Sequence, residues 1–327
     1  MSVKIEDIEK AAQRLDGVAI KTPLLQCAVL DERLGASVVF KPENLQHIGA
    51  FKFRGAYNRI SQFTEAERAR GVVAYSSGNH AQGVAYAAKL LGMNATIVMP
   101  SDAPAIKKDG TEKLGATIRL YDRNTESREQ IADEIAEKTG AIVVPAFDDV
   151  DVIAGQGTCG LELMQQLAAT GRVPTKVLCP CGGGGLMAGV STAVKAMNAD
   201  TAVYGVEPEH YDDHFLSRHA GKRIAIDPTR GTSCDALMAA TPGEITWSIN
   251  SRTVDDFLVV SEDEVAHALS FAFRYMKLVL EPGGVVALAA LLSKKIEVTG
   301  DTVGIILSGG NIDRESLNRC LEKYPSP

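Results

Sequence analysis

The chain has 327 residues, 45% of them hydrophobic and 23% charged, and carries a formal net charge of −7. That length suits one large α/β unit or two domains of ordinary size, and the composition is that of a globular protein rather than a disordered one. The acidic balance, with no dense Lys/Arg run, argues against nucleic acid as the main partner and leaves a small molecule as the expected one.

In chain order, Met1–Leu15 carries acids and reads as an amphipathic helix, without the basic start and apolar core of a secretion signal. Strands are expected at Ser37–Lys41, Gly71–Ser76, Ala95–Met99, Thr117–Tyr121, Ile142–Pro145, Lys176–Pro180, Val203–Glu207, Asp256–Val260 and Val303–Ser308. Helical spacing fills the gaps, as in Glu126–Thr139 and Asp151–Thr170. This alternation implies an α/β fold of parallel sheets covered by helices on both faces. The longest apolar runs, such as Val285–Leu292, suit buried helices and fall short of the roughly 18 residues of a membrane span. The chain therefore reads as cytoplasmic and free of the membrane. Six cysteines are scattered along it. The closest pair, Cys179-Pro180-Cys181, has neither zinc-site spacing nor an accompanying His cluster and reads as buried strand residues.

Ligands of such sheets bind beyond the carboxyl ends of the strands. Four loops there are unusual: Ser76–His80, Gly182–Gly185, Glu207–Asp213 and Ser308–Asn311. Four consecutive glycines opening a helix let backbone N–H groups converge at a positive helix end, which suits a phosphate. The same run also fits a dinucleotide pattern, Gly183-x-Gly185-x-x-Ala188, with Glu207 ending the next strand. That pattern usually opens the first βαβ unit of a domain, whereas several units precede it here. In the third loop, Glu207 and Asp213 stand six positions apart across a turn, with backbone carbonyls between them. This suits a hard divalent cation, whereas His210 and His214 would point to a transition metal.

Lys52 lies in Gly49-Ala50-Phe51-Lys52-Phe53-Arg54-Gly55-Ala56. A lysine in apolar surroundings has a depressed pKa, so its amine can act as a nucleophile. With this segment, Ser76-Ser77-Gly78-Asn79-His80, the glycine run and Ser308-Gly309-Gly310-Asn311 in this order, the chain resembles the fold type II enzymes that use pyridoxal 5′-phosphate (PLP). Within them it is most similar to the group of serine and threonine dehydratases, serine racemase and threo-3-hydroxyaspartate ammonia-lyase. The resemblance runs from about Ile8 to Leu321.

It implies a two-domain architecture like that of the tryptophan synthase β chain. Residues 1–70 and 149–327 would form a large PLP-binding domain and residues 71–148 a small mobile one, the whole assembling as a homodimer. By resemblance, Lys52 binds the cofactor aldehyde and then serves as the base for the α-proton. Gly182, Gly183, Gly184 and Gly185 hold the phosphate, Asn79 meets the ring hydroxyl, Phe51 stacks on the ring and Ser308 faces the pyridine nitrogen. A neutral hydroxyl at that nitrogen makes the ring a weaker electron sink, which harms elimination less than transamination. Ser76, Ser77, Asn79 and His80 line the loop for the substrate carboxylate.

The expected activity is a carbon–nitrogen lyase that eliminates water and then ammonia from a β-hydroxy amino acid. Two positions bear on the substrate. Ser77 makes a double serine like that of serine racemase and hydroxyaspartate ammonia-lyase. It is either a second acid/base on the face opposite the lysine or a hydrogen-bond partner of a carboxylate. Arg128 matches a segment where serine racemase carries an arginine. It either pairs with a second substrate carboxylate, favouring L-threo-3-hydroxyaspartate over L-serine or L-threonine, or with Glu126 or Glu129. The metal positions of the group match Glu207, the Tyr211 carbonyl and Asp213, with Mg²⁺ expected and Ca²⁺ or Mn²⁺ as alternatives. A serine or aspartate racemase with side dehydratase activity and a nucleotide-dependent oxidoreductase are the competing readings.

Overall fold

A computed structural model describes residues 2–103 and 105–327. Ten strands form two separate sheets. Leu25–Gln26 (β1), Ser37–Pro42 (β2), Lys176–Pro180 (β7), Ala202–Pro208 (β8), Asp256–Val260 (β9) and Thr302–Leu307 (β10) make a six-stranded sheet ordered β1-β2-β10-β7-β8-β9. Val72–Tyr75 (β3), Ala95–Pro100 (β4), Thr117–Tyr121 (β5) and Ile142–Val143 (β6) make a four-stranded sheet ordered β5-β4-β3-β6. Every pairing is parallel except β1 with β2, where Leu25 faces Phe40. The chain thus forms the expected parallel sheets, with β1 as a short antiparallel addition at one edge. Two residues are too few to carry a strand periodicity, so β1 leaves no mark in the sequence.

The expected strands stand within two residues of their observed ends. Val38, Val39, Val303, Ile305, Ile306 and Leu307 are fully buried, as a sheet covered on both faces requires. The apolar run 285–292 lies in the helix Pro282–Leu292, which is buried as far as Leu291 against the six-stranded sheet. The N-terminal helix Ile5–Leu15 buries Ile8, Ala11 and Leu15. None of the described helices is long and apolar enough to cross a membrane.

One long helix, Val150–Ala168, supports both segments that concern function. It starts at Asp149, whose carboxylate accepts from the N–H groups of Asp151 and Val152. A Cβ on its Gly155 would stand 2.6 Å from Gly55 Cα in the helix Lys52–Ser61. A Cβ on Gly189, in the helix Gly185–Met197, would stand 2.5 Å from the Gly157 nitrogen. Glycine on these faces lets the backbones approach without side chains between them.

Charge locks the same packing. Arg54 is fully buried and donates to Glu43 at 2.6 and 2.8 Å and to Glu162 at 2.7 and 3.0 Å. Lys41, also fully buried, donates to Glu162 at 2.6 Å, to Gln166 at 2.9 Å and to the Thr22 carbonyl at 2.7 Å. The network ties β2, the lysine helix and the long helix together, and its two cations balance two carboxylates. Arg54→Met should leave Glu43 without its cation and destabilise the fold by about 3–5 kcal/mol in urea unfolding. A loss under about 1 kcal/mol would mean that the network contributes little to the packing.

Candidate functional site

The loops singled out from the sequence converge beyond the carboxyl ends of the strands. After β2 the chain turns through Ile48 and Gly49, both left-handed (φ 60° and 71°), and enters the helix that begins at Lys52. A branched residue held in that region marks a turn imposed by its surroundings. The Asn311 amide donates to the Ile48 carbonyl at 2.8 Å. The Phe51 N–H donates to the Ser308 carbonyl at 3.1 Å, which joins the lysine segment to the loop after β10.

The Lys52 ammonium lies within the cleft between the sheets and donates to the Ala146 carbonyl at 2.8 Å. Burial lowers its pKa to about 8, against an opposing pull from the Glu281 carboxylate. Of the two flanking aromatics, Phe51 lies beside the amine, 5.1 Å from ring centre to Nζ. Phe53 is fully buried against His47, Tyr57 and Tyr86. Phe53 therefore serves the core, and enclosure by the whole cleft shifts the amine.

The glycine run opens the helix Gly185–Met197, with Gly184 at φ 91°. A Cβ on Gly183 would meet the Phe147 ring at 2.5 Å, and one on Gly184 would meet His214 Nε2 at 2.6 Å. Phe147 follows the carbonyl that holds Lys52, so the lysine and the glycine turn share one short segment. Thr246 donates to the Gly183 carbonyl at 2.8 Å, and the Asp148 carboxylate caps the helix Glu244–Thr253 that carries it. Among the described residues, none accepts from the N–H groups of Gly182, Gly183 or Gly184. Unpaired donors in a turn at a helix N-terminus are the chemistry a phosphate requires, so the residues fit the phosphate of PLP.

The third loop, Ser76-Ser77-Gly78, leads into the helix Asn79–Leu90. Ser76 Oγ accepts from the Gly78 N–H at 3.1 Å, while Ser77 is partly exposed. Asn79 is pinned at both ends of its amide, donating to Glu281 at 2.6 Å and accepting from Asn311 at 2.7 Å. In this arrangement one Asn79 N–H is left for a further acceptor. His80 is buried, with Nε2 at 2.9 Å from the Val144 carbonyl; burial, and then the nearby Lys52, lower its pKa to about 3. Both effects favour its neutral imidazole. Ser308 is buried at the end of β10. Arg128 starts the helix Arg128–Thr139, pairs with Glu129 at 2.8 Å and lies over Tyr75, 5.5 Å from the ring centre. Tyr75 directly precedes Ser76, so this exposed guanidinium flanks the serine loop.

Glu207, at the end of β8, is fully buried and accepts from the N–H groups of His214 and Phe215 at 3.0 and 2.8 Å. A carboxylate held that way cannot meet a ribose, which removes the structural basis of the dinucleotide reading. Both Asp213 oxygens are buried without a hydrogen-bond partner, and no described group donates to the Tyr211 carbonyl. Such a donor set fits a cation.

Glu281 was not foreseen. It precedes the helix Pro282–Leu292, and burial, followed by the nearby Asp235, raises its carboxyl to about 8. Glu281-Pro282-Gly283-Gly284 reads as an ordinary helix start, so nothing in the sequence marks it. Ala146 and Phe147 were missed because a backbone carbonyl and a packing ring have no motif.

This arrangement defines a PLP enzyme of fold type II: residues 15–309 match the family described as "Pyridoxal-phosphate dependent enzyme", and the chain belongs to it. Among individual relatives, the chain is 46% identical to L-threo-3-hydroxyaspartate ammonia-lyase of a Pseudomonas species, over 98% of this chain and 97% of that one. It is 43% identical to the enzyme of the same name from Saccharomyces cerevisiae, over 94% and 93% of the two chains. The solved structure of maize serine racemase superposes with a TM-score of 0.92 at 36% identity, covering 99% of this chain and 98% of that one.

A Glu281 proton retained up to about pH 8 in the folded protein is released near pH 4.5 on unfolding. This contribution to stability is therefore full below pH 4.5 and is lost as pH rises toward 8. Glu281→Gln should flatten the pH dependence of cofactor-free stability across that window by about 3 kcal/mol, measured by urea unfolding at pH 5 and pH 8. An unchanged slope would show that Glu281 titrates normally.

Proposed function

We propose that this protein is a PLP-dependent carbon–nitrogen lyase that removes water and then ammonia from a β-hydroxy amino acid, with L-threo-3-hydroxyaspartate as its preferred substrate and L-serine and L-threonine as further ones. The observation that carries this reading is the Lys52 amine. It is held near the pKa of a working base on the carbonyl adjoining Phe147, the residue that packs against the glycine turn. The names and 46% and 43% identities of the two hydroxyaspartate ammonia-lyases support the substrate.

When bound, PLP supplies an electron sink that acidifies the α-proton of an amino acid joined to it. The chain's residues do the remaining work. The N–H groups of Gly182–Gly185 hold the phosphate, the free Asn79 N–H meets the ring hydroxyl, Ser308 faces the ring nitrogen and Phe51 flanks the ring. Ser76, Ser77 and the N-terminus of the helix Asn79–Leu90 receive the α-carboxylate, while His80 braces that helix start against Val144. Lys52 forms the covalent link and, in its neutral state, takes the α-proton. Arg128 turns from Glu129 toward the second carboxylate of hydroxyaspartate.

The segment 71–148 acts as the small mobile domain. The pairs Asn79–Glu281 and Lys107–Asp235 span the cleft and hold it closed. Mg²⁺ at Glu207, the Tyr211 carbonyl and Asp213 completes the reading, with Ca²⁺ or Mn²⁺ as substitutes. Exposed Phe273, Tyr275 and Val279 share one surface depression with Pro325 and support assembly as a homodimer. Six free cysteines support a reducing, cytoplasmic compartment.

A second reading, a serine or aspartate racemase, is favoured by the placement of Ser77 beside Asn79 and by the likeness to maize serine racemase. Ammonia release from L-serine, L-threonine and both threo-3-hydroxyaspartate enantiomers, with chiral analysis of recovered substrate, separates the two. The lyase reading expects oxo acid and ammonia from L-threo-3-hydroxyaspartate, and inverted substrate without ammonia would overturn it. Lys52→Ala should abolish the borohydride-reducible visible absorbance and lower turnover by at least about 10²–10⁴-fold. Arg128→Ala should reduce kcat/KM for hydroxyaspartate about tenfold or more while serine turnover changes little; equal losses would remove Arg128 from substrate recognition. EDTA should lower the Tm and the activity together, and Mg²⁺ should restore both; indifference to EDTA would count against the cation.

A further inference from the structure

We propose that Cys181, Glu207 and His214, with Asp213 beside them, bind a borderline transition-metal ion of the zinc class directly beneath the glycine turn. It rests on the same carboxylates as the metal reading above, Glu207 and Asp213, and competes with it: one ion occupies them, with sulfur and nitrogen among its ligands.

Sequence spacing hid this set. The sequence marks Cys181 only as a buried strand residue, and buried it is, but the fold brings His214 to it from the helix after β8. One donor atom from each of Cys181, Glu207 and His214 lies within 4.8 Å of the other two. His214 Nδ1 stands 3.5 Å from Glu207 Oε1 and 3.5 Å from Asp213 Oδ2. Bonds of about 2.0–2.3 Å to a tetrahedral ion put neighbouring donors roughly 3.3–3.8 Å apart. The two 3.5 Å imidazole–carboxylate separations match that spacing, and Cys181 lies within the 4.8 Å from which small side-chain shifts reach it.

Two further observations point to a ligand. The four side chains are at most 1% exposed, yet His214 Nδ1 and both Asp213 oxygens have no hydrogen-bond partner. Leaving such groups unpaired in a dry interior costs free energy that a cation would offset. The other imidazole nitrogen, Nε2, lies 3.3 Å from the Asn250 amide, whose oxygen is itself unpartnered. The same Asn250 nitrogen donates to the Gly184 carbonyl at 3.3 Å, so in this orientation Nε2 accepts from the amide; a metal on Nδ1 requires the amide to turn over, giving up that bond so that its oxygen accepts from Nε2–H. This is the outer support that metal-bound histidines usually have.

Donor type sets the class of ion. Mg²⁺ prefers six oxygens in octahedral array, whereas thiolate with imidazole and carboxylate suits zinc and its neighbours. Binding replaces the thiol proton of Cys181, which passes to solvent, with a metal–sulfur bond, and no electron is transferred. Cys181 precedes Gly182, and His214 packs beneath Gly184, so a bound ion would brace the turn assigned to the phosphate.

The test uses the full-length holoenzyme freed of metal and loaded with Zn²⁺ alone. We expect one ion retained per chain after gel filtration, with an X-ray absorption spectrum containing one sulfur at about 2.3 Å and nitrogen or oxygen at about 2.0–2.1 Å. Cys181→Ser should remove the sulfur shell and weaken zinc about tenfold or more, and His214→Asn should weaken zinc similarly. Retained zinc without a sulfur shell would overturn the proposal. So would failure to retain zinc, which would leave His214 itself as the group between the two carboxylates. The spectrum of the unsubstituted protein decides the matter even if the variants do not fold. A Mg²⁺-induced rise in Tm, measured separately, reports on the oxygen-only site, so the two readings can fail independently.

Discussion

Arg54 stands two residues beyond the amine that makes the site, and its guanidinium is wholly out of water. A buried cation is tolerated only if its donors are met, and Glu43 and Glu162 meet them from β2's end and from the long helix. Because both carboxylates must approach one rigid fork, the position of the lysine helix has little freedom. Gly55 and Gly155 set the depth of the contact, and the ion pairs set its rotation. The helix carrying the glycine turn rests on the same long helix through Gly157 and Gly189. Amine and anion turn are therefore referred to one backbone support, and covalent chemistry at one end of a small cofactor with anchoring at the other depends on such a shared frame.

Burial pushes the ionisable groups around the cleft toward their neutral forms. Lys52 comes down to about 8, His80 to about 3, and Glu281 goes up to about 8. The Lys52 charge adds to the burial that lowers His80, while the Glu281 carboxylate pulls against the burial that lowers Lys52. A neutral amine is what nucleophilic attack and proton removal need. A neutral imidazole holds the serine-loop helix without adding a charge, and the carboxyl fixes the Asn79 amide. The anionic parts of a bound cofactor and substrate would then be met mainly by backbone N–H groups and helix ends, which need no desolvated countercharge.

Polar contacts across the cleft include Asn79 to Glu281 and Asn311, Lys107 to Asp235, and Lys52 to Ala146. All of them gather around the site. A ligand that takes an N–H of Asn79 or the Lys52 amine changes the partners these groups hold. Behind the glycine turn, the opposite wall is stiff. Phe147, Thr246, Asn250 and His214 press on the glycines closely enough that a single Cβ at Gly183 or Gly184 would collide.

Strand order along the chain, the helix/strand alternation and the four candidate loops were legible because parallel sheets buried on both faces leave continuous apolar runs and place loops at their ends. Lys52, the glycine run and Asn79 were legible because their chemistry needs particular residue types in particular local frames. What the tertiary structure alone decided is which distant groups surround them. Glu281 reads as a helix start, Ala146 contributes only a carbonyl, Phe53 resembles Phe51 yet turns into the core, and His80 finds its partner in the Val144 carbonyl. Cys181 and His214 carry no spacing signal, since they end up together only after β7 and β8 pair. Local sequence specifies conformation and the type of reactive group. The shift of a pKa and the partners of a buried atom depend on everything within a few ångströms, and folding brings those neighbours from all parts of the chain.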